Sequence, residues 1–148
     1  MAKVLVVDDE VNQARALEIG LRLEGFEVTS ALEADTALRC LAADPADIAI
    51  VDLMLPGRNG IELARELHTL YPAMRVLLTS AYHLSRQQIV RADCGVIGFV
   101  PKPYHLDELA RFLRLKLAAG VPPGPESCRV LGTAAPVDSV AGIVRRRS

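Results

Sequence analysis

The chain has 148 residues and a formal net charge of −1, with 51% hydrophobic and 24% charged residues. These values predict one domain with a substantial core, followed by a tail. Its apolar runs are much shorter than the roughly 20 residues of a membrane-spanning helix, and no signal peptide begins the chain. We therefore expect a cytoplasmic protein without a membrane segment. The small net charge argues against nucleic-acid binding by this chain alone.

Short apolar runs alternate with amphipathic stretches over residues 1–120. The predicted strands are Val4–Val7, Phe26–Ser30, Ile48–Val51, Val76–Leu78 and Ile97–Val100, and the predicted helices are Glu10–Glu24, Ala34–Ala43, Arg58–Leu70, Leu84–Asp93 and Leu106–Ala118. The first, third and fourth strands are apolar at consecutive positions, which is typical of strands buried on both faces of a parallel sheet. Five strand–helix repeats predict an α/β fold with a doubly wound, five-stranded parallel sheet.

The composition changes after Gly120. Residues 121–148 are rich in Pro and Gly, begin with Val-Pro-Pro-Gly-Pro and end with three arginines before Ser148. Such a segment cannot continue a helix, so we expect a domain over residues 1–120 and a flexible tail over residues 121–148. The tail carries a net charge of +2 against −3 for residues 1–120. Its three terminal arginines are compatible with a solvated end, which is the commoner case, and with a contact to nucleic acid or an acidic partner.

Polar side chains follow four of the five predicted strands. In a doubly wound sheet, ligands bind beyond the carboxyl ends of the strands, so these side chains are expected at one edge of the sheet. Each of them alone is commonly a helix cap or a solvated charge, but the combination is hard to explain as caps. The residues are Asp8 and Asp9 after the first strand, Asp52 after the third, Thr79 and Ser80 after the fourth, and Lys102 after the fifth.

These residue types predict phosphoryl chemistry. Three adjacent carboxylates raise one another's pKa and need a cation to stay ionised. Mg²⁺ binds such carboxylates and completes its shell with waters and phosphate oxygens. Lys102 supplies a fixed positive charge and Ser80 a hydroxyl donor for the charge that phosphoryl transfer develops. Asp52 is the best candidate nucleophile because it ends the most buried strand, and a carboxylate can form an aspartyl-phosphate.

Four sequence motifs resemble the receiver domain of two-component response regulators. They are Val4–Glu10, Asp52–Gly60, Ser80–Tyr82 and Lys102–Pro103, and the intervals from Asp8 to Asp52 to Ser80 to Lys102 are 44, 28 and 22 residues. The resemblance covers about residues 1–120 and implies the flavodoxin-like (CheY-like) receiver fold. It also implies a signalling domain that catalyses only its own phosphoryl transfer and autodephosphorylation.

The resemblance implies a role for each matching residue. Asp52 would be the phosphoacceptor, with Ser80 and Lys102 contacting the phosphoryl group, and Thr79 competes with Ser80 for the hydroxyl role. Phe99 would be the switch aromatic, and the Lys102–Pro103 bond is expected to be cis. Mg²⁺ would be bound by Asp8, Asp9, Asp52 and the backbone carbonyl of Met54. Met54 and Tyr82 flank the site and would slow the attack of water, which predicts a phosphorylated state that lasts minutes or longer.

The implied donor is a sensor histidine kinase or a phosphotransfer protein. The implied output is a partner or a dimer on the face formed by the fourth helix, the fifth strand and the fifth helix. A receiver with only a tail is favoured, because 28 tail residues are too few for a helix-turn-helix effector. The alternative is the receiver half of a truncated DNA-binding transcriptional regulator, in which the Pro-rich stretch after Gly120 would be the interdomain linker. A phosphohydrolase of the haloacid-dehalogenase type needs a second Asp two residues after the nucleophile, where this chain has Met54. A receiver that works without phosphorylation is disfavoured because the acceptor residues are present.

Overall fold

The computed structural model describes residues 2–81, 96–119 and 129–130. The predicted helix Leu84–Asp93, Tyr82 and most of residues 121–148 lie outside the described residues. The described elements are β1 (Lys3–Val7), α1 (Val11–Leu23), β2 (Glu27–Ala31), α2 (Ala34–Ala43), β3 (Ile48–Asp52), β4 (Met54–Leu55), β5 (Arg58–Asn59), α3 (Gly60–Leu70), β6 (Arg75–Ser80), β7 (Gly98–Pro101), α4 (Leu106–Ala119) and β8 (Arg129–Val130). The helix α4 is the fifth helix predicted from the sequence.

The main sheet has the strand order β2-β1-β3-β6-β7-β8, and all its pairs are parallel. The five predicted strands are its first five members, so the predicted doubly wound parallel sheet is confirmed. The strand β8 adds two residues at the β7 edge, with Gly98 opposite Arg129 and Phe99 opposite Val130. This short strand comes from the segment predicted as a tail, and the division into domain and flexible tail stays a prediction.

Helices cover the sheet on both faces. Successive side chains of a strand point to opposite sides, and because the strands are apolar at consecutive positions, both faces need to be buried. One core cluster contains α2, α3 and alternate strand residues, among them Ala37, Leu41, Leu63, Leu67, Leu5, Val51, Leu78 and Phe99. The other contains α1, α4 and the intervening strand residues, among them Leu17, Leu21, Leu109, Leu113, Val4, Ile50 and Leu77. Within residues 2–81 and 96–119, no helix is long and apolar enough to cross a membrane.

The chain after β3 differs from the prediction. A helix was expected from Arg58, but Arg58 and Asn59 pair with Leu55 and Met54 in a short antiparallel ladder. The helix α3 begins at Gly60, two residues after the predicted start, because the Asn59 side chain caps it by accepting the Glu62 N–H at 2.9 Å. Asparagine is among the preferred capping residues, so the correct start was readable from the sequence.

Gly60 holds the loop that follows the end of β3. Its N–H donates to the Leu53 carbonyl at 2.6 Å, and the Leu53 N–H donates to the Thr79 carbonyl at 2.8 Å. A Cβ at position 60 would lie 2.8 Å from the Leu53 Cα and still closer to the Asp52 carbonyl oxygen. Both contacts are with backbone atoms next to Asp52, so a side chain at position 60 would push the β3 end out of place.

We expect Gly60→Ala to lower the free energy of unfolding by about 2 kcal/mol, because the backbone it meets cannot move without strain. Gly20→Ala is the matched control. There the added Cβ would meet the end of the Leu106 side chain, which can rotate away, and alanine is the better helix former. Urea unfolding measures both variants. Equal losses in the two variants would contradict the assigned role of Gly60.

Candidate functional site

The carboxyl ends of the parallel strands bring the predicted polar residues to one edge of the sheet. Asp52 is the last residue of β3 and lies opposite Thr79 of β6, and Ser80 ends β6 opposite Pro101. Asp8 follows β1, and its N–H donates to the Ala31 carbonyl at 3.1 Å. Asp8, Asp52, Thr79 and Ser80 are buried polar residues. The ends of three strands, β1, β3 and β6, thus place polar side chains at one edge of the sheet.

Asp8, Asp9 and Asp52 form an acidic cluster in which one carboxylate oxygen of each lies within 4.8 Å of the others. Asp8 and Asp52 are 4% and 7% exposed, whereas Asp9 is exposed. The Asp8 Oδ1 accepts the Glu10 N–H at 2.9 Å, and the Asp52 Oδ1 accepts the Met54 N–H at 3.3 Å. The backbone thereby orients both buried carboxylates. Hard oxygen donors, one of them open to solvent, fit a partly hydrated Mg²⁺.

Lys102 places its ammonium group between the two buried carboxylates. Its Nζ lies 3.1 Å from the Asp8 Oδ2 and 3.4 Å from the Asp52 Oδ2. The Lys102 N–H donates to the Ser80 carbonyl at 2.8 Å, which fixes the lysine backbone to the end of β6. The expected cis bond between Lys102 and Pro103 is confirmed. The lysine therefore neutralises part of the charge that the acidic cluster concentrates.

Two residues of the site were missed by the sequence reading. Gln13, in the first turn of α1, accepts a hydrogen bond from the Lys102 Nζ with its Oε1 at 2.6 Å. Tyr104 follows Pro103, and burial together with the negative charges of Asp8 and Asp52 raises the pKa of its phenol. The only available signal was closeness in sequence to the predicted site residues, and that does not tell which side chains turn toward Lys102.

Burial raises the pKa of the Asp52 carboxyl above its ordinary value of 3.8. The positive charge of Lys102 opposes this rise, and the negative charge of Asp8 adds to it. Desolvation and a like charge both disfavour the carboxylate form, while an ammonium group favours it. A further cation in the acidic cluster would favour the ionised carboxylate that a nucleophile requires.

Strand geometry separates Ser80 from Thr79. Leu78 and Phe99 lie opposite each other and pack in the core cluster under α2 and α3. Because side chains alternate along a strand, Ser80 points to the same face as Leu78 and Phe99, and Thr79 points to the other. Ser80 and Phe99 are both fully buried. The hydroxyl that can communicate with Phe99 along this face is therefore that of Ser80.

Met54 and Tyr82 were predicted to flank the site. Met54, two residues after Asp52, is 53% exposed, and its backbone N–H donates to the Asp52 Oδ1. Tyr82 is outside the described residues.

A family model described as the response regulator receiver domain matches residues 4–114. A CheY-like receiver domain protein from Methanospirillum hungatei is similar at a TM-score of 0.76 and 25% identity, over 81% of this chain and 96% of that one. The response regulator TrrA from Thermotoga maritima, in complex with Mg²⁺ and BeF, is similar at a TM-score of 0.69 and 31% identity, over 79% of this chain and 99% of TrrA. NtrX from Brucella abortus is similar at a TM-score of 0.73 and 30% identity, over 80% of this chain but only 27% of NtrX. The shared fold is thus one part of NtrX.

The raised pKa of Asp52 predicts a pH dependence of stability in metal-free protein. Between the ordinary value of 3.8 and the raised value, the folded state binds a proton that the unfolded chain has lost. Stability contributed by Asp52 therefore falls as pH rises through this window. Asp52→Asn removes this loss, so its stability advantage over wild type should grow across the window and then level off. Urea unfolding in EDTA at a series of pH values measures the difference. An advantage that shrinks as pH rises would contradict the assignment.

Proposed function

Because the chain belongs to the response regulator receiver domain family, we propose that Asp52 accepts a phosphoryl group in a Mg²⁺-dependent reaction. The donor is a sensor histidine kinase or a phosphotransfer protein, and the protein acts in the cytoplasm. One observation carries the proposal: the buried Asp52 carboxylate lies within 4.8 Å of Asp8 and Asp9 and 3.4 Å from the Lys102 ammonium. Such a site combines a nucleophile, a cation-binding cluster and a fixed positive charge.

Mg²⁺ would be held by Asp8, Asp9, Asp52 and the backbone carbonyl of Met54. When bound, it would neutralise charge on the carboxylates and on the phosphoryl oxygens. The donor set supports this assignment, because hard oxygen ligands gathered at one point are those that Mg²⁺ prefers. The exposed position of Asp9 leaves one side of the cluster open to water.

Asp52 would attack phosphorus with a carboxylate oxygen. In the structure its Oδ1 accepts the Met54 N–H at 3.3 Å, and its Oδ2 lies 3.4 Å from the Lys102 ammonium. The new oxygen–phosphorus bond forms as the bond to the leaving atom of the donor breaks, and the leaving group keeps that electron pair. Lys102 would then exchange part of its contact with the carboxylates for the phosphoryl oxygens. The domain would catalyse this transfer and its own dephosphorylation, and no reaction of a separate substrate. Met54 would shield the phosphoryl group from water.

Phosphorylation adds roughly −1.5 to −2 charge at the site, which would draw the Ser80 hydroxyl and Lys102 toward the new oxygens. Ser80 shares a sheet face with Phe99, so a shift of Ser80 would change the space available to the Phe99 ring. Such a change biases an equilibrium between two existing states. The readout would be the face formed by the fourth predicted helix, β7 and α4. Arg111 and Leu115 of α4 are exposed.

We expect one phosphoryl adduct per chain when the protein is incubated with acetyl phosphate and Mg²⁺, and none in Asp52→Asn, which keeps the shape of the side chain but removes the nucleophilic carboxylate. Intact mass spectrometry measures both. The same spectra, taken over time after the acetyl phosphate is removed, should show an adduct that lasts minutes or longer. An adduct in Asp52→Asn would refute Asp52 as the acceptor, and decay within seconds would refute the shielding by Met54 and Tyr82.

The switch predicts that beryllofluoride with Mg²⁺, a mimic of the phosphoryl group, changes amide hydrogen exchange in β7 and shifts the dimer fraction in sedimentation velocity. Ser80→Ala should bind the mimic and lose most of both responses, because it lacks the hydroxyl that links the site to Phe99. Thr79→Val is the matched control and should respond like wild type. A wild-type protein whose β7 exchange and dimer fraction do not change would count against a switch in this chain.

A further inference from the structure

Gln13 makes a contact with Lys102 that phosphoryl acceptance by itself does not require. The Lys102 ammonium has three donor positions, and the described residues offer it three oxygen acceptors. Two are the carboxylates of Asp8 and Asp52 at 3.1 and 3.4 Å, and the third is the Gln13 Oε1 at 2.6 Å. The shortest of the three bonds is thus made by the one neutral acceptor.

The surroundings of Gln13 leave few other ways to hold the ammonium. Gln13 and Lys102 line one groove of about 320 Å³ between α1 and the start of α4, together with Ala16, Leu17, Pro103, Tyr104 and Leu106. Most of these lining side chains are apolar. On the groove side of Lys102, the Gln13 amide is therefore the acceptor best placed to stop the lysine side chain from turning away from Asp52.

The uncharged amide of Gln13 suits a lysine whose ammonium must move from the carboxylates to the phosphoryl oxygens. A carboxylate attracts an ammonium through a full negative charge, which a neutral amide lacks. A third carboxylate at position 13 would therefore hold the ammonium against the incoming phosphoryl oxygens. An apolar side chain would leave one N–H to water, and the flexible lysine stem would sample more rotamers. An amide limits the motion of the ammonium without competing as an anion.

We propose that Gln13 is a positioning residue that holds the Lys102 ammonium over Asp52 and lets it shift to the phosphoryl group. This role rests on the proposed function, and Gln13 acts on the reaction through Lys102. Its position in the first turn of α1 ties the ammonium to the helix that directly follows Asp8 and Asp9. The acidic cluster and the lysine are thereby held in one geometry before the donor arrives.

A direct test of the contact uses the side-chain ammonium signals of the three lysines, Lys3, Lys102 and Lys116. Lys102→Arg identifies the Lys102 signal in NMR spectra of metal-free protein by removing it. In Gln13→Leu we expect exchange of the Lys102 ammonium protons with water to speed up by about tenfold, the scale of one lost hydrogen bond. Lys3 and Lys116 serve as internal references. An unchanged Lys102 signal would overturn the proposal, whatever the phosphorylation result.

A second test compares two amide-to-carboxylate substitutions at neighbouring exposed residues. Gln13→Glu and Asn12→Asp each add one negative charge on α1 without changing side-chain shape. We expect Gln13→Glu to slow phosphorylation by acetyl phosphate about tenfold at saturating Mg²⁺, and Asn12→Asp to slow it less than threefold, because only position 13 bonds to the ammonium. Gln13→Leu should slow it by an intermediate factor.

The outcomes separate the two proposals. Wild-type protein that takes up no phosphoryl group would refute the proposed function, while the NMR test would still decide whether Gln13 holds Lys102. Normal phosphorylation of wild type with equal rates in Gln13→Glu and Asn12→Asp would overturn the positioning role, because a general charge effect would then explain both. A large difference between the two variants, with the expected NMR change, would support it.

Discussion

The arrangement of charged groups in this site follows from the repulsion between two buried carboxylates. Asp8 and Asp52 are 4% and 7% exposed, and their nearest suitable oxygens lie within 4.8 Å. At an effective dielectric constant near 20, two unit charges so placed repel by on the order of 3 kcal/mol. The Lys102 ammonium between them offsets part of this, and burial still raises the pKa of Asp52. The protein thus holds a carboxylate at a point where added positive charge is stabilising.

The parallel sheet makes this arrangement possible. Its strands end at one edge, so polar residues far apart in sequence meet there while the strand interiors stay apolar. Backbone hydrogen bonds fix the junctions: the Leu53 N–H to the Thr79 carbonyl, the Gly60 N–H to the Leu53 carbonyl, and the Lys102 N–H to the Ser80 carbonyl. Packing of two helical layers supports these bonds, so the charged groups occupy fixed positions before any ligand binds.

The two faces of the sheet have different roles in this scheme. Lys102, Gln13 and Tyr104 belong to the side of α1 and α4, where the groove lies. Ser80 points to the other face, where Phe99 packs with residues of α2 and α3. Charge neutralisation and switching therefore involve opposite faces of the same strand ends. Only a residue at the edge, such as Asp52, can influence both.

Local sequence signals were sufficient for most of the fold. Apolar runs located the five main strands, and helical periodicity located α1, α2 and α4 within a few residues. The start of α3 was placed too early, because the cap at Asn59 was read as helix. The strand β8 was not anticipated, because two residues in a Pro- and Gly-rich segment carry no periodic signal and their pairing depends on the edge offered by β7.

The sequence by itself determined which residues reach the edge of the sheet, because a residue that directly follows a buried parallel strand lies at the carboxyl end of that strand. Asp8, Asp9, Asp52, Ser80 and Lys102 could be named on that ground. Only the tertiary structure decided how they share their charges. Three features depend on side-chain directions and on packing between α1, α4 and the strand ends. They are the hydrogen bond from Lys102 to Gln13, the exposure of Asp9 beside two buried carboxylates, and the sheet face that Ser80 shares with Phe99. The contact between Gln13 and Lys102 joins residues 89 positions apart, and no local pattern encodes a contact of that kind.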